Sequence, residues 1–269
     1  MDRFTATDGL SIAYTMADYT DPWKEAATVV MLHAGMGSSK RWIPMVPAIA
    51  RRFCTVRMDL RGHGESEVPA PDSPLTLERM THDVRDLMEH LGLPQAHFIC
   101  NATGGYIGQH LAATSPGRVQ SLVLFSSTPG QKNTGTRKWI PRIRKIGLRA
   151  FMEESVAGRL DTEHLDPRYL QWYVNEVAKN DEPFVLRLLE LMSELDLADE
   201  LPFIKCPTLL MVPGSRNKRG GPYSVMARRI PDVKVVEVPN GPQGLCDSDP
   251  DGCTREALAF LEERFPEAA

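Results

Sequence analysis

Short apolar runs alternate with longer helical patterns along this chain, and that alternation restricts the fold more than any other feature. The segments TVVMLH (28–33), CTVRMD (54–59), HFICN (97–101), SLVLFS (121–126), TLLMV (208–212) and VKVVEV (233–238) each carry Val, Ile or Leu and are bounded by turn residues. Their apolar character is continuous rather than alternating, which suits strands buried on both faces. Between them, residues 77–92 place Leu77, Met80, Val84, Leu87 and Leu91 at three- and four-residue spacing, the stripe of an amphipathic helix. Further helices are expected over 103–115, opening at Thr103-Gly104-Gly105, and over 251–264. Strand–helix alternation predicts an α/β fold with a mostly parallel central sheet and helices on both faces. An early alternating run, SIAYTM (11–16), reads as an added antiparallel edge.

The alternation stops between about Gln131 and Leu201. RKWIPRIRKIGLRAFMEESVAG, PRYLQWYVNEVAK and EPFVLRLLELMSEL read as three or four amphipathic helices, with no convincing strand among them. An all-helical insert between two sheet strands is best read as a cap over the carboxyl ends of the strands, where open α/β sheets bind ligands. The expected organisation is a core of residues 1–130 and 202–269 with a helical cap at 131–201. The cap's load of Trp139, His164, Tyr169, Trp172 and Tyr173 suits the roof of a pocket.

Composition excludes several function classes. A chain of 269 residues with 42% hydrophobic and 25% charged residues is too apolar for disorder and long enough for one large core. Its net charge of −4 comes from mixed acids and bases, with no basic stripe for nucleic acid and no polybasic segment for a membrane. The start, MDRFTATDG, has no apolar signal region, and the longest apolar run, ATVVML, is too short to span a bilayer. Five scattered cysteines without CxxC spacing point to a reducing compartment and away from zinc or a disulfide frame. A cytoplasmic protein is expected, with a homodimer left open. No metal cluster, dinucleotide fingerprint or phosphate loop is present, so no cofactor is implied and the expected partner is a small molecule.

Four stretches in register resemble the α/β-hydrolase family. LHAGMGSS (32–39) is similar to the family's HG-x-x-G turn after the third strand. MDLRGHGES (58–66) is similar to its D-x-R-G-x-G-x-S segment, and CNATGGYIGQHLA (100–112) to its strand, nucleophile elbow and helix. The spacing of the C-terminal REALAFLEE completes the resemblance over nearly the whole chain. The resemblance implies an α/β-hydrolase fold and a Ser, Asp or Glu, and His triad in that chain order, with the serine attacking, the histidine taking its proton and the acid orienting the ring.

Each implied triad position holds something else. The serine position falls on Ala102 and the leading glycine on Cys100. The acid position in VPGSRN falls on Asn217; the alternative position in FSSTPG offers Ser126 and Ser127. The histidine position in VPNGPQGLCDSDP falls on Gln243, preceded by Pro242. The last of the seven histidines is His164, so no family-order base exists in the C-terminal third. The triad is therefore expected to be degenerate.

An oxyanion hole is a backbone device and survives loss of side chains. By the resemblance its two N–H groups belong to Gly35 and to Thr103, which opens a helix whose N-terminus presents unpaired donors. Met36 and Trp42 are candidate pocket walls, or simply core. Ala102, Asn217 and Gln243 are candidate ligand contacts where a triad would stand; equally, Asn217 and Gln243 could satisfy each other and nearby backbone. His164, between Glu163 and Asp166, is a candidate acid or base if the cap brings it to the pocket, and otherwise a surface residue. His33, His63, Asp59 and Arg61 read as loop anchors, and Cys100 as an inert apolar filler.

The leading expectation is a non-hydrolytic enzyme such as a lyase, decarboxylase, cyclase or isomerase, as some relatives of the fold in specialised metabolism are. It would act on a carbonyl compound through the oxyanion hole. A non-catalytic binding or sensory protein and a hydrolase with relocated catalytic groups are the alternatives.

Overall fold

The computed structural model describes residues 1–132, 134–214 and 221–266. Eight strands form one sheet: β1 (Asp2–Thr5), β2 (Ser11–Ala17), β3 (Thr28–Leu32), β4 (Cys54–Met58), β5 (Ala96–Asn101), β6 (Val119–Phe125), β7 (Thr208–Pro213) and β8 (Val233–Val238). Their order is β1-β2-β4-β3-β5-β6-β7-β8. The two N-terminal strands pair antiparallel and the other six run parallel, with Val29 opposite Thr55 and His97, and Ile99 opposite Val123.

The helices among the described residues are α1 (Val46–Ala50), α2 (Leu77–His90), α3 (Thr103–Thr114), α4 (Trp139–Ile146), α5 (Leu148–Ser155), α6 (Pro167–Ala178), α7 (Glu182–Glu194), α8 (Pro222–Arg229), α9 (Leu245–Ser248) and α10 (Pro250–Arg264). The α2 stripe behaves as its spacing predicts: Leu77, Met80, Val84 and Leu87 are buried, and the Thr76 hydroxyl caps the helix by accepting the Arg79 amide at 3.0 Å. None of these helices is long and apolar enough to cross a membrane.

Alternate strand residues feed opposite faces of the sheet. Val30, Leu32, Phe98, Cys100, Leu122 and Leu124 pack with α2 and α3. Val29, Met31, Ile99, Val123, Phe125 and Leu209 pack with α1 and α10. Both faces are covered, which is why the central strands carry no polar alternation. The region between β6 and β7 is helical, as expected, and α4–α7 pack around a separate apolar cluster that includes Ile143, Phe151, Val177, Val185 and Leu189.

Two differences from the sequence reading concern the sheet edges. The run SIAYTM is not an edge strand, because β1 pairs outside it, with Phe4 opposite Ile12. A four-residue strand with one buried side chain, Phe4, offers no periodicity to read. At the other edge β8 is largely uncovered, although its apolar composition matches that of the central strands.

Candidate functional site

The β5–α3 junction makes a tight backbone turn at the sheet's carboxyl edge. Ala102 has φ 46° and ψ −106°, a conformation that costs a non-glycine residue about 1–3 kcal/mol. It holds because both sides of the turn are committed: the Ala102 amide donates to Phe125 O at 3.3 Å, and Gly104 N to His33 O at 3.1 Å. A Cβ on Gly104 would stand 2.2 Å from Leu32 O, so only glycine lets α3 sit this close to β3.

The turn after β3 lies against this junction. A Cβ on Gly35 would meet Thr103 Oγ1 at 2.8 Å, which puts the two residues implied by the resemblance side by side. Neither amide has an acceptor shown among the described residues, and Thr103, as the first residue of α3, has no intrahelical partner.

Two buried histidines brace the turn. His33 Nδ1 donates to Ala34 O at 2.7 Å and Nε2 accepts the Leu60 amide at 3.0 Å. His63 Nδ1 donates to Arg61 O at 3.0 Å and Nε2 accepts the Met36 amide at 3.1 Å. Each ring therefore accepts at one nitrogen and is neutral. Burial lowers His33 to about 4, against the bond to Ala34; burial, with His33 alongside, lowers His63 to about 3. Asp59 ties the same loops by accepting Ser39 N at 2.6 Å and Glu65 N at 2.9 Å, and Arg61 forks onto Asp83 with two 2.6 Å bonds.

Above the junction is a cavity of about 540 Å³, bounded by the elbow on one side and by α4–α7 on the other. Gly35, Met36, Ala102, Thr103 and Gln243 all line it. Gln243 donates Nε2 to Ser126 O at 3.3 Å. Met36 sits at φ 62° and its carbonyl accepts Asn180 Nδ2 at 3.1 Å.

Other residues singled out from the sequence lie elsewhere. Trp42 is 2% exposed and packs against Phe125; it belongs to the core. His164 is 80% exposed at its side chain and pairs with Asp161 at 2.9 Å, so the fold does not bring it to the cavity. Its carboxylate neighbour raises its pKa, as for a surface histidine. Asn217 lies outside the described residues. Cys100 is fully buried, and burial pushes its thiol far above the usual range, leaving it inert.

The most charged feature of the cavity was not read from the sequence. Arg41, 9% exposed, donates Nε to Asp247 Oδ1 at 2.8 Å and Nη2 to Asp247 Oδ2. Asp247 Oδ1 also accepts the Tyr169 hydroxyl at 2.8 Å, and the Arg41 guanidinium lies 4.6 Å from the centre of the Tyr173 ring. Burial disfavours the Arg41 charge, but Asp247 outweighs it and holds the guanidinium protonated. Asn101, the last residue of β5, lines the cavity beside Arg41. The available signal is a charge close after the β3 turn, in SSKRW, and its partner lies 206 residues away.

This geometry belongs to a known family. A family model for the α/β hydrolase fold matches residues 27–231, and the chain is a member of that family. A protein assigned as the carbamate hydrolase RutD of Caulobacter sp. (strain K31) is 28% identical over 247 residues, covering 86% of this chain and 90% of that one. The pimeloyl-[acyl-carrier protein] methyl ester esterase of Nitrosomonas europaea is 28% identical over 232 residues, 79% of this chain and 86% of that one. In fold, the chain resembles the enol-lactonase from Burkholderia xenovorans LB400 with a TM-score of 0.87 at 23% identity, covering 97% and 99% of the two chains.

These relatives are enzymes, and the two sequence relatives are named for hydrolysis. They overturn the expectation of a lyase, decarboxylase, cyclase or isomerase. That expectation took Ala102, Asn217 and Gln243 at the three triad positions as deciding the reaction class, whereas relatives matched over most of the chain are named for hydrolysis.

Proposed function

We propose that this chain is a hydrolase of small carbonyl compounds of the ester or carbamate type, in which water attacks the substrate directly. The observation that carries this reading is Ala102. The elbow keeps its costly φ of 46° although a methyl group has no chemistry, so what the turn delivers is backbone: the Thr103 amide, facing the cavity beside Gly35.

In this reading the triad is degenerate and the two amides form the oxyanion hole. Each donor of this kind contributes about 2.7–4 kcal/mol of transition-state stabilisation in a dry site. The methyl of Ala102 leaves the volume of a hydroxyl oxygen open to the cavity, and a water there approaches the carbonyl from the side a serine would use. Its oxygen bonds to the carbonyl carbon while the carbonyl electron pair moves onto the oxygen held by the amides. The attacking water gives a proton to solvent hydroxide as it adds; collapse re-forms the carbonyl and breaks its bond to the alcohol or amine, which leaves by taking a proton from solvent. Ala102 and Gln243 contact the substrate, and helices within 131–201 cap the core formed by 1–130 and 202–269.

The cavity is lined by no histidine among the described residues, so attack depends on hydroxide. The test is hydrolysis of short-chain methyl esters and carbamates by purified protein, with a serine-directed fluorophosphonate in parallel. Turnover without covalent labelling is expected. Stoichiometric labelling, or no turnover of any such substrate, would overturn the reading.

A further inference from the structure

Arg41 is not fully used by its partner. The fork to Asp247 takes Nε and Nη2, and no acceptor among the described residues meets Nη1. That nitrogen is not among the buried polar atoms left without a partner, so it is not sealed in protein; it lies beside Gly37, where a Cβ would stand 3.0 Å from it, and its side chain lines the cavity. The Asn101 side-chain amide is in the same condition: it makes no hydrogen bond with the described residues, is not sealed, and lines the same part of the cavity. The residue as a whole is only 5% exposed. A buried guanidinium edge and a buried amide that face one space without protein partners form a site for oxygen acceptors.

The Arg41 guanidinium edge itself favours an anion. Among the described residues, the carboxylate lining the cavity is Glu154. Glu154 is taken by Arg142, with Nε at 3.0 Å. Asp247 balances Arg41 from behind, so the pair is stable with or without a ligand, while the Nη1 edge stays available.

We propose that Arg41 and Asn101 form a carboxylate-binding subsite beside the elbow, and that the substrate is an anionic half-ester or half-carbamate. One carboxylate oxygen accepts Arg41 Nη1–H and the other accepts Asn101 Nδ2–H. Asn101 immediately precedes Ala102, so the carboxylate and the scissile carbonyl are separated by only a few atoms. This rests on the hydrolytic reading for the word ester but not for the anion site itself.

The experiment uses the full chain and two readouts. The first is kcat/KM for the monomethyl esters of the linear dicarboxylic acids from malonate to suberate, each against its dimethyl ester. The second is calorimetric binding of the corresponding diacids against their diamides. A charge-assisted hydrogen bond is worth about 1.5–3 kcal/mol, so at least one half-ester is expected to be preferred over its diester by about 10- to 100-fold. Asn101→Asp, which keeps the shape and adds a repelling charge, removes that preference and the diacid binding; Arg41→Gln does the same if it folds. Equal turnover of half-esters and diesters, with no diacid binding, overturns the subsite and leaves the hydrolase reading standing. Diacid binding that Asn101→Asp abolishes, without turnover of any ester, supports the subsite and removes the hydrolase reading. Absence of both turnover and binding overturns both.

Discussion

Arg41 and Asp247 form a two-pronged ion pair across 206 residues of sequence, with Nε–Oδ1 at 2.8 Å and both side chains less than a tenth exposed. The pair joins the segment after the β3 turn to α9, and through the Tyr169 hydroxyl and the Tyr173 ring it also holds α6. One ion pair therefore ties together three parts of the chain that are far apart in sequence. Its net contribution is smaller than its geometry suggests, because both ions are desolvated. Removing one member is another matter. Asp247→Ala leaves a buried guanidinium uncompensated and is expected to cost about 3–5 kcal/mol, measured as a fall in urea midpoint at constant m-value. A loss under 1 kcal/mol would mean that solvent reaches Arg41 far more freely than its burial implies.

Three neutral, buried histidines make stability depend on pH. Burial lowers His33 and His97 to about 4 and His63 to about 3, against about 6.5 in an unfolded chain. Between pH 5 and 6 the unfolded state binds these protons and the folded state does not. Stability therefore rises with pH across that window and is lost as pH falls from 6.5 toward 4. Each histidine contributes a slope of about 1.4 kcal/mol per pH unit. Urea denaturation at pH 5.0, 5.5 and 6.0 should give a total near three such slopes; a flat profile would show that the rings take up protons while folded.

Placing a serine at the elbow should not create a serine hydrolase. Ala102→Ser places a hydroxyl on the elbow, but the described cavity supplies no histidine to take its proton, and a positioned base is worth about 10²–10⁴ in rate. We expect ester hydrolysis to rise by less than about 10-fold, without fast fluorophosphonate labelling. A gain of several hundred-fold would reveal a base that the described cavity lacks.

The two amides can be tested through the space between them. Gly35→Ala puts a methyl 2.8 Å from Thr103 Oγ1, so either the hydroxyl or the turn has to move. Loss of one oxyanion donor typically costs about 10²–10³ in kcat, and a fall of at least about 10-fold is expected from this displacement. The double variant Gly35→Ala/Thr103→Ala removes the clashing oxygen, leaves the remaining Cβ contact at an ordinary 3.6 Å, and should recover most of the loss. Failure to recover would mean that the steric contact is not what links the two turns.

Histidine-free hydrolysis predicts a simple pH dependence of rate. Within the range where the fold is stable, kcat/KM should climb with hydroxide through pH 7–9, without the plateau that a histidine base near 6.5 would give. Stopped assays on a single methyl ester across that range would show it; an inflection between pH 6 and 7 would point to a titrating imidazole in the mechanism.

Much of the architecture is visible in the residue pattern. Six parallel strands, the α2 stripe and the helical region after β6 follow from apolar runs and three-to-four spacing, because burial on two sheet faces demands them. The elbow is visible too, since Gly104 has to meet Leu32 O closely enough to exclude a Cβ. Strand β1 was missed because one buried phenylalanine leaves no period. Trp42 and His164 were plausible near a pocket by position alone, and only side-chain direction sends one into the core and the other into solvent.

The family, the alanine at the elbow and the absence of any histidine after residue 164 are legible in the residue order alone, because they are matters of residue identity and short-range order. The folded chain adds that His33 and His63 are neutral braces, that Gly35 lies against Thr103, and that Arg41, at the cavity wall, meets Asp247. Those outcomes depend on which side chains desolvate one another across a folded sheet, and neither burial nor pairing over 206 residues leaves a periodic trace in the chain.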